Sequence, residues 1–182
     1  MILIVGGTGT LGRELVPRLL ANGHKVRVMT RDPTRATAMG TAGAEVVVGD
    51  LRNPASLRAA VQGVRAVVSA AHSIVGAWRS SSARVDDIGQ RALIASAVEE
   101  GVDHLVFISV LGASTSHPLD FWQTKARMEE TVKASGLGYT IVRPTAFLDF
   151  HAYELVGKAI EAGRRVMVFG PGTSPKNFVA AA

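Results

Sequence analysis

The stretch Met1-Ile-Leu-Ile-Val-Gly-Gly-Thr-Gly-Thr-Leu-Gly12 constrains this chain more than any other. Ile2 to Val5 is a short, continuous apolar run, the pattern of a strand buried on both faces. Glycines follow at Gly6, Gly9 and Gly12, and Glu14 to Leu20 then carries apolar residues at helical spacing. A glycine turn between a strand and a helix has a specific use. Residues without a Cβ let the backbone approach a pyrophosphate, and the helix N-terminus offers N–H groups and the positive end of its dipole. A glycine triplet alone is weak evidence; the strand before it and the helix after it make it a dinucleotide signal. Gly6, Thr8, Gly9, Thr10, Leu11 and Gly12 are therefore the candidate phosphate-turn residues.

The rest of the chain repeats the strand–helix alternation. Strands are expected at Lys25–Thr30, Glu45–Gly49, Arg65–Ser69, His104–Ser109 and Tyr139–Arg143. Helices are expected over Thr34–Met39, from Asn53-Pro54 to about Gln62, from about Arg84 to Glu100, and from Asp120 to Ser135. Asn22-Gly23, Gly63, Gly101 and Gly136 read as helix stops. Ser73 to Ala83 reads as a loop. This is an α/β pattern: a doubly wound parallel sheet of the Rossmann type, in one domain. Residues 1–150 form the nucleotide-binding part. Residues 151–182 begin a truncated or very small substrate-binding region in the same compact unit, with a further strand at Arg165–Phe169 and a turn at Gly170-Pro171-Gly172.

Composition narrows the function classes. The chain has 182 residues, 47% of them hydrophobic and 19% charged, which suits one globular domain. No apolar run reaches the ~18 residues of a membrane span. The N-terminus opens directly in a strand, without a basic region or cleavage signal, so a cytoplasmic protein is expected. The absence of cysteine excludes disulfides, thiolate metal sites and thiol catalysis. The net charge of +5 comes from scattered arginines, with no basic stripe interleaved with aromatics, which argues against a nucleic-acid partner.

In a doubly wound sheet the ligand lies at the carboxyl ends of the strands, so the residues just beyond each strand matter most. Arg31 and Arg35 follow the second strand, four residues apart, where a short helix would bring both to one side. Arginine there accommodates a ribose 2′-phosphate, whereas an acidic residue takes the 2′-hydroxyl. NADP(H) is the expected cofactor. Asp32 keeps NAD(H) open, though it sits one residue late for a ribose contact. Arg13 is a third candidate cation. Ala70 and Ala71 are small enough for the chain to pass over a cofactor, and His72 reads as a polar loop residue.

The G-x-x-G-x-x-G spacing resembles the atypical and extended branch of the short-chain dehydrogenase/reductase superfamily. Arg31-Asp32-x-x-Arg35 is similar to a pattern in small NADPH-dependent flavin reductases. Lys125-Ala-Arg-Met-Glu-Glu and Ser135-Gly-Leu-Gly-Tyr-Thr-Ile-Val-Arg-Pro-Thr-Ala-Phe147 narrow the likeness to the NmrA-like, NAD(P)-binding group, similar to isoflavone reductases and flavin/biliverdin reductases. The resemblance implies that Asp50 and Leu51 form the adenine pocket. It further implies that Ser109 orients substrate, that Lys125 holds the nicotinamide ribose, and that Pro144, Thr145 and Phe147 lie over the nicotinamide. The superfamily's acid is a tyrosine four residues before that lysine. Here the position is Phe121, which has no proton to give.

His151 is a candidate substitute acid, weighed against a place in a loop or pocket wall. Relatives continue for roughly another hundred residues by the resemblance, and an exposed apolar surface around Phe147 and Phe150 would favour a homodimer. Two functions stay open. One is an oxidoreductase acting on a small carbonyl, quinone or flavin-like acceptor. The other is a redox sensor that binds NADP(H) without turnover.

Overall fold

The computed structural model describes residues 1–73, 83–166, 173 and 177–181. The chain divides into two units, Met1–Arg143 and Pro144–Ala182. In the first, six parallel strands form one sheet: β1 (Ile2–Val5), β2 (Val26–Thr30), β3 (Glu45–Val48), β4 (Ala66–Ser69), β5 (His104–Ile108) and β6 (Gly138–Val142). Their spatial order is β3-β2-β1-β4-β5-β6. The chain therefore runs outward from β1 to β3, then crosses back to β4 on the other side of β1. That reversal puts the switch point between β1 and β4, where Ile2 pairs with Val26 on one side and Ala66 on the other.

The alternation of side chains along β1 explains why the sheet is covered on both faces. Leu3 and Val5 join a core with Leu57, Leu93, Leu105, Phe107 and Met128. Ile4 points the other way and joins Val16, Val26, Val28 and Val68. Helices α3 (Pro54–Val61), α4 (Gln90–Glu99) and α5 (Asp120–Lys133) thus cover one face. Helices α1 (Thr10–Ala21) and α2 (Thr37–Thr41) cover the other, through Val16 and Met39. All six strands expected for the main sheet are present. The helix expected from Arg84 differs at its start: Ala83–Gly89 is wound as a π-helix before α4 begins. Wider winding changes which residues face inward, and Asp86 and Gln90 are both fully buried as a result.

In the second unit, β7 (Ala146–Phe147) pairs in parallel with β8 (Phe178–Val179). Between them, Asp149–Gly157 is π-helical and runs into α6 (Lys158–Glu161), a helical stretch the sequence pattern did not signal. Its helix-like spacing is masked by weak amphipathicity: none of its side chains is fully buried. Phe147 and Phe150 are half-buried; Leu155 and Ile160 are the more exposed apolar residues here. Arg165 and Val166 are not in a strand, against expectation. The remainder of that expected strand, the turn at 170–172 and most of the loop at 73–83 lie outside the described residues. Among the described residues no helix is long and apolar enough to cross a membrane.

Candidate dinucleotide site

The glycine turn is built by close backbone approach. Gly6 has φ +91°, and a Cβ there would sit 2.7 Å from the Ala71 nitrogen, so the chain leaving β4 lies directly on the turn. Gly9 closes the turn by donating its N–H to the Gly6 carbonyl at 3.0 Å, and it caps α1 without a side chain. The first intrahelical bond runs from Arg13 N to the Gly9 carbonyl. The N–H groups of Thr10, Leu11 and Gly12 precede it and have no acceptor within the helix. Gly12 permits this geometry, since a Cβ there would come within 2.3 Å of the Gly7 carbonyl oxygen. Arg13 turns back, its Nε donating to the Thr8 carbonyl at 3.2 Å.

Beside this turn lies a cleft of about 490 Å³. Gly6, Thr8, Arg31, Arg35, Asp50, Leu51 and Ala71 share it, although they come from four separate strand ends. Gly9, Thr10, Leu11 and Gly12 belong to the adjoining turn and helix start, and Ala70 directly precedes the lining residue Ala71.

The two carboxylates of the cleft have different duties. Asp32 accepts from the Thr34 N–H at 3.0 Å and the Thr34 hydroxyl at 2.6 Å, capping the 3₁₀ turn Pro33–Ala36 that carries Arg35. Those bonds hold its carboxyl below the ordinary value. Asp50 pairs with Arg52, whose Nε approaches both carboxylate oxygens at 2.9 and 3.0 Å. That pairing, and the Arg31 charge to a lesser degree, also lower its pKa.

The β5–α5 end of the sheet has a different character. Ser109 follows β5 and is 5% exposed, its N–H donating to the Val142 carbonyl at 2.8 Å. Its hydroxyl donates to Glu129, and Glu129 is also held by Arg143, with Arg143 Nε at 2.9 Å. Burial pushes the Glu129 carboxyl up, but the bonds from Arg143 and Ser109 outweigh it and the net shift is downward. Lys125 is also buried. Its ammonium donates to the Ile108 carbonyl at 3.2 Å, lies 3.4 Å from Asp86, and sits 5.0 Å from the Phe107 ring and 5.6 Å from the Phe121 ring. Burial lowers the Lys125 pKa, with the Asp86 charge opposing. Phe121 meets His72 edge-on at 6.1 Å.

Pro144, Thr145 and Phe147 belong to the second unit, where His151 Nδ1 donates to the Phe147 carbonyl at 3.1 Å. Among the described residues no group of His, Asp or Glu is placed to hold a metal ion.

Asp86, Gln90 and Glu129 were not singled out by the sequence pattern. Their signals were present but local: Asp86 and Gln90 lie four apart on one helical run, and Glu129 lies one turn after Lys125. Polar residues at inward spacing are ordinary on a solvated helix, so only the packed sheet reveals that they are buried.

An NAD(P)H-binding family model matches residues 6–168. Photosystem II assembly factor Ycf39 of Cyanophora paradoxa is 33% identical over 150 residues, covering 80% of this chain and 45% of that protein. An NAD(P)H azoreductase of Xenophilus azovorans is 32% identical over 149 residues, covering 81% and 49% respectively. The NADPH-dependent quinone oxidoreductase of Escherichia coli, crystallised with NADPH, superposes with a TM-score of 0.71 at 28% identity, covering 90% of this chain and 55% of that one. The chain thus spans about half the length of the curated relatives it matches. The turn, the switch-point cleft and these likenesses agree: the chain belongs to the NAD(P)H-binding family, within the NmrA-like, atypical short-chain dehydrogenase group.

Proposed function

We propose that this chain binds NADP(H) in preference to NAD(H) and forms the cofactor-holding part of a reductase for a small carbonyl, quinone or flavin-like acceptor. The observation that carries the reading is the cleft in which Arg31 and Arg35 face the same space as the glycine turn and Asp50. The donor set fits such a cofactor. The unpaired N–H groups at the start of α1 suit a pyrophosphate, and the two guanidinium groups suit a 2′-phosphate. Asp32, the acidic residue after the same strand, is engaged by Thr34. Asp50 and Leu51 then take the adenine end, and Ala70 and Ala71 leave room for the cofactor to pass. Ser109 lies toward the nicotinamide end, and the buried Lys125, bonded to the neighbouring Ile108 carbonyl, supports that end from within the protein.

A bound nicotinamide supplies hydride; the chain's part is to bind, orient and exclude water. The names of the azoreductase and quinone oxidoreductase relatives support an aromatic, redox-active acceptor. A second reading, a sensor that binds NADP(H) without turnover, is favoured by one feature. Phe121 offers no proton, and the Ser109 proton is committed to Glu129. The test is NADPH oxidation by the purified protein across quinones, flavins, azo dyes and aldehydes. Oxidation with any acceptor class supports the reductase. NADPH binding with no oxidation supports the sensor, and failure to bind NADPH overturns both.

A further inference from the structure

Among the described residues, one buried side-chain oxygen lacks a hydrogen bond: Oδ1 of Asp86. It faces the Lys125 ammonium at 3.4 Å, and both side chains are almost wholly buried, at 0% and 3% exposure. The other oxygen, Oδ2, accepts the Ser73 N–H at 2.8 Å. Ser73 lines the dinucleotide cleft together with Ala71 and His72. Four residues on, Gln90 accepts from the Ser69 hydroxyl at 2.6 Å and donates to the Ala71 carbonyl at 3.0 Å. The inward face of this helical run, Asp86 in the π-helical turn and Gln90 at the start of α4, therefore holds the cleft wall at Ala71 and Ser73, and at Asp86 the contact is backed by Lys125.

A carboxylate this deeply buried keeps its charge only if something neutralises it. Lys125 does so, and it does so from behind the wall. We propose that Asp86 is a positioning residue for the cofactor cleft, and that Lys125 acts on cofactor binding through Asp86, by stabilising the carboxylate that holds Ser73 in place. The proposal rests on the NADP(H) reading above and assigns to Lys125 an indirect role in it. Gln90 anchors the near end of the segment regardless of charge. The Asp86–Lys125 pair governs the far end, at Ser73.

A double-mutant cycle separates this from direct contact between Lys125 and the cofactor. NADPH affinity is measured by calorimetry for the natural protein, Asp86→Asn, Lys125→Met and the double variant, and Ser73 amide exchange is measured by NMR in each without cofactor. Lys125→Met alone leaves a buried carboxylate uncompensated, and it is expected to weaken NADPH binding by about tenfold or more and to speed Ser73 exchange similarly. The double variant removes both charges while keeping an amide or its hydrogen-bonding oxygen at residue 86, and is expected to recover both readouts to within about threefold of the natural protein. A double variant as weak as Lys125→Met would overturn the proposal, and so would normal affinity in Lys125→Met. If Lys125→Met does not fold, Asp86→Asn against the double variant decides. The proposal expects equal or tighter NADPH binding in the double variant; weaker binding there means that Lys125 touches the cofactor itself. If the natural protein fails to bind NADPH, the functional reading falls, while Ser73 exchange still decides whether the pair holds the wall.

Discussion

The two halves of the sheet end in polar groups put to opposite uses. At the β1–β2–β3 end, Arg31, Arg35 and the turn at Gly6 open onto a cleft. At the β5–β6 end, Ser109, Lys125, Glu129 and Asp86 are turned onto one another inside the protein. The first half keeps its donors available for an anionic ligand. The second half uses its donors to satisfy buried charge. An annotation by residue type alone would treat Ser109 and Lys125 as equivalent to Arg31 and Arg35. The packing separates the two sets: Arg31 and Arg35 line the cleft, while Ser109 and Lys125 are buried against partners of their own.

The largest effect separating the halves is expected at Gly12. A Cβ there would strike the backbone of Gly7, which no rotamer change can relieve. Gly12→Ala should cost about 3 kcal/mol of stability through overpacking at the strand–helix crossing, and should also displace the N–H groups at the start of α1. Chemical denaturation beside NADPH titration checks both. An unchanged midpoint would mean that the turn relaxes freely.

Glu129 tests the closed half. Glu129→Gln weakens two charge-assisted contacts and should cost about 2 kcal/mol, with little change in NADPH affinity. The acid dependence has a definite sign. The folded carboxyl lies below its ordinary value, so it contributes stability that is full above about pH 4.3 and lost as pH falls through the lowered folded value. Thermal unfolding between about pH 3 and pH 7 should show a steeper acid loss in the natural protein than in Glu129→Gln. Parallel curves would place the acid sensitivity elsewhere.

The smallest effect is expected at Arg52. It pairs with Asp50 at the cleft rim, where both side chains are partly exposed. Arg52→Ala should change stability by no more than about 1 kcal/mol. Any larger change in NADPH affinity than in stability would show that the pair orients Asp50 for the adenine end.

The same contrast explains what the sequence disclosed. The open half was legible because its devices are local. Glycines at fixed spacing, an apolar strand before them, and arginines just beyond β2 all sit within 35 residues of the start. The strand positions were legible too, from apolar runs bounded by glycine. The strand order is a tertiary outcome of crossing from β3 back to β4. The closed half depends on partners far apart in the chain. Ser109 lies 20 residues from Glu129, and Ser73 lies 13 from Asp86. Nothing near Ser109 announces that its proton is already taken. The π-winding at Ala83–Gly89 was hidden for a related reason, since its apolar spacing reads as an ordinary helix.

The central claim is that the open half selects a phosphorylated cofactor through Arg31 and Arg35. Calorimetric titration of the natural protein and Arg31→Ala with NADPH and NADH tests it directly. A charge-assisted hydrogen bond contributes roughly 1.5–3 kcal/mol, so NADPH should bind the natural protein about tenfold or more tightly than NADH. Arg31→Ala should remove most of that preference and leave NADH affinity nearly unchanged. Equal affinities for the two cofactors in the natural protein would contradict the account.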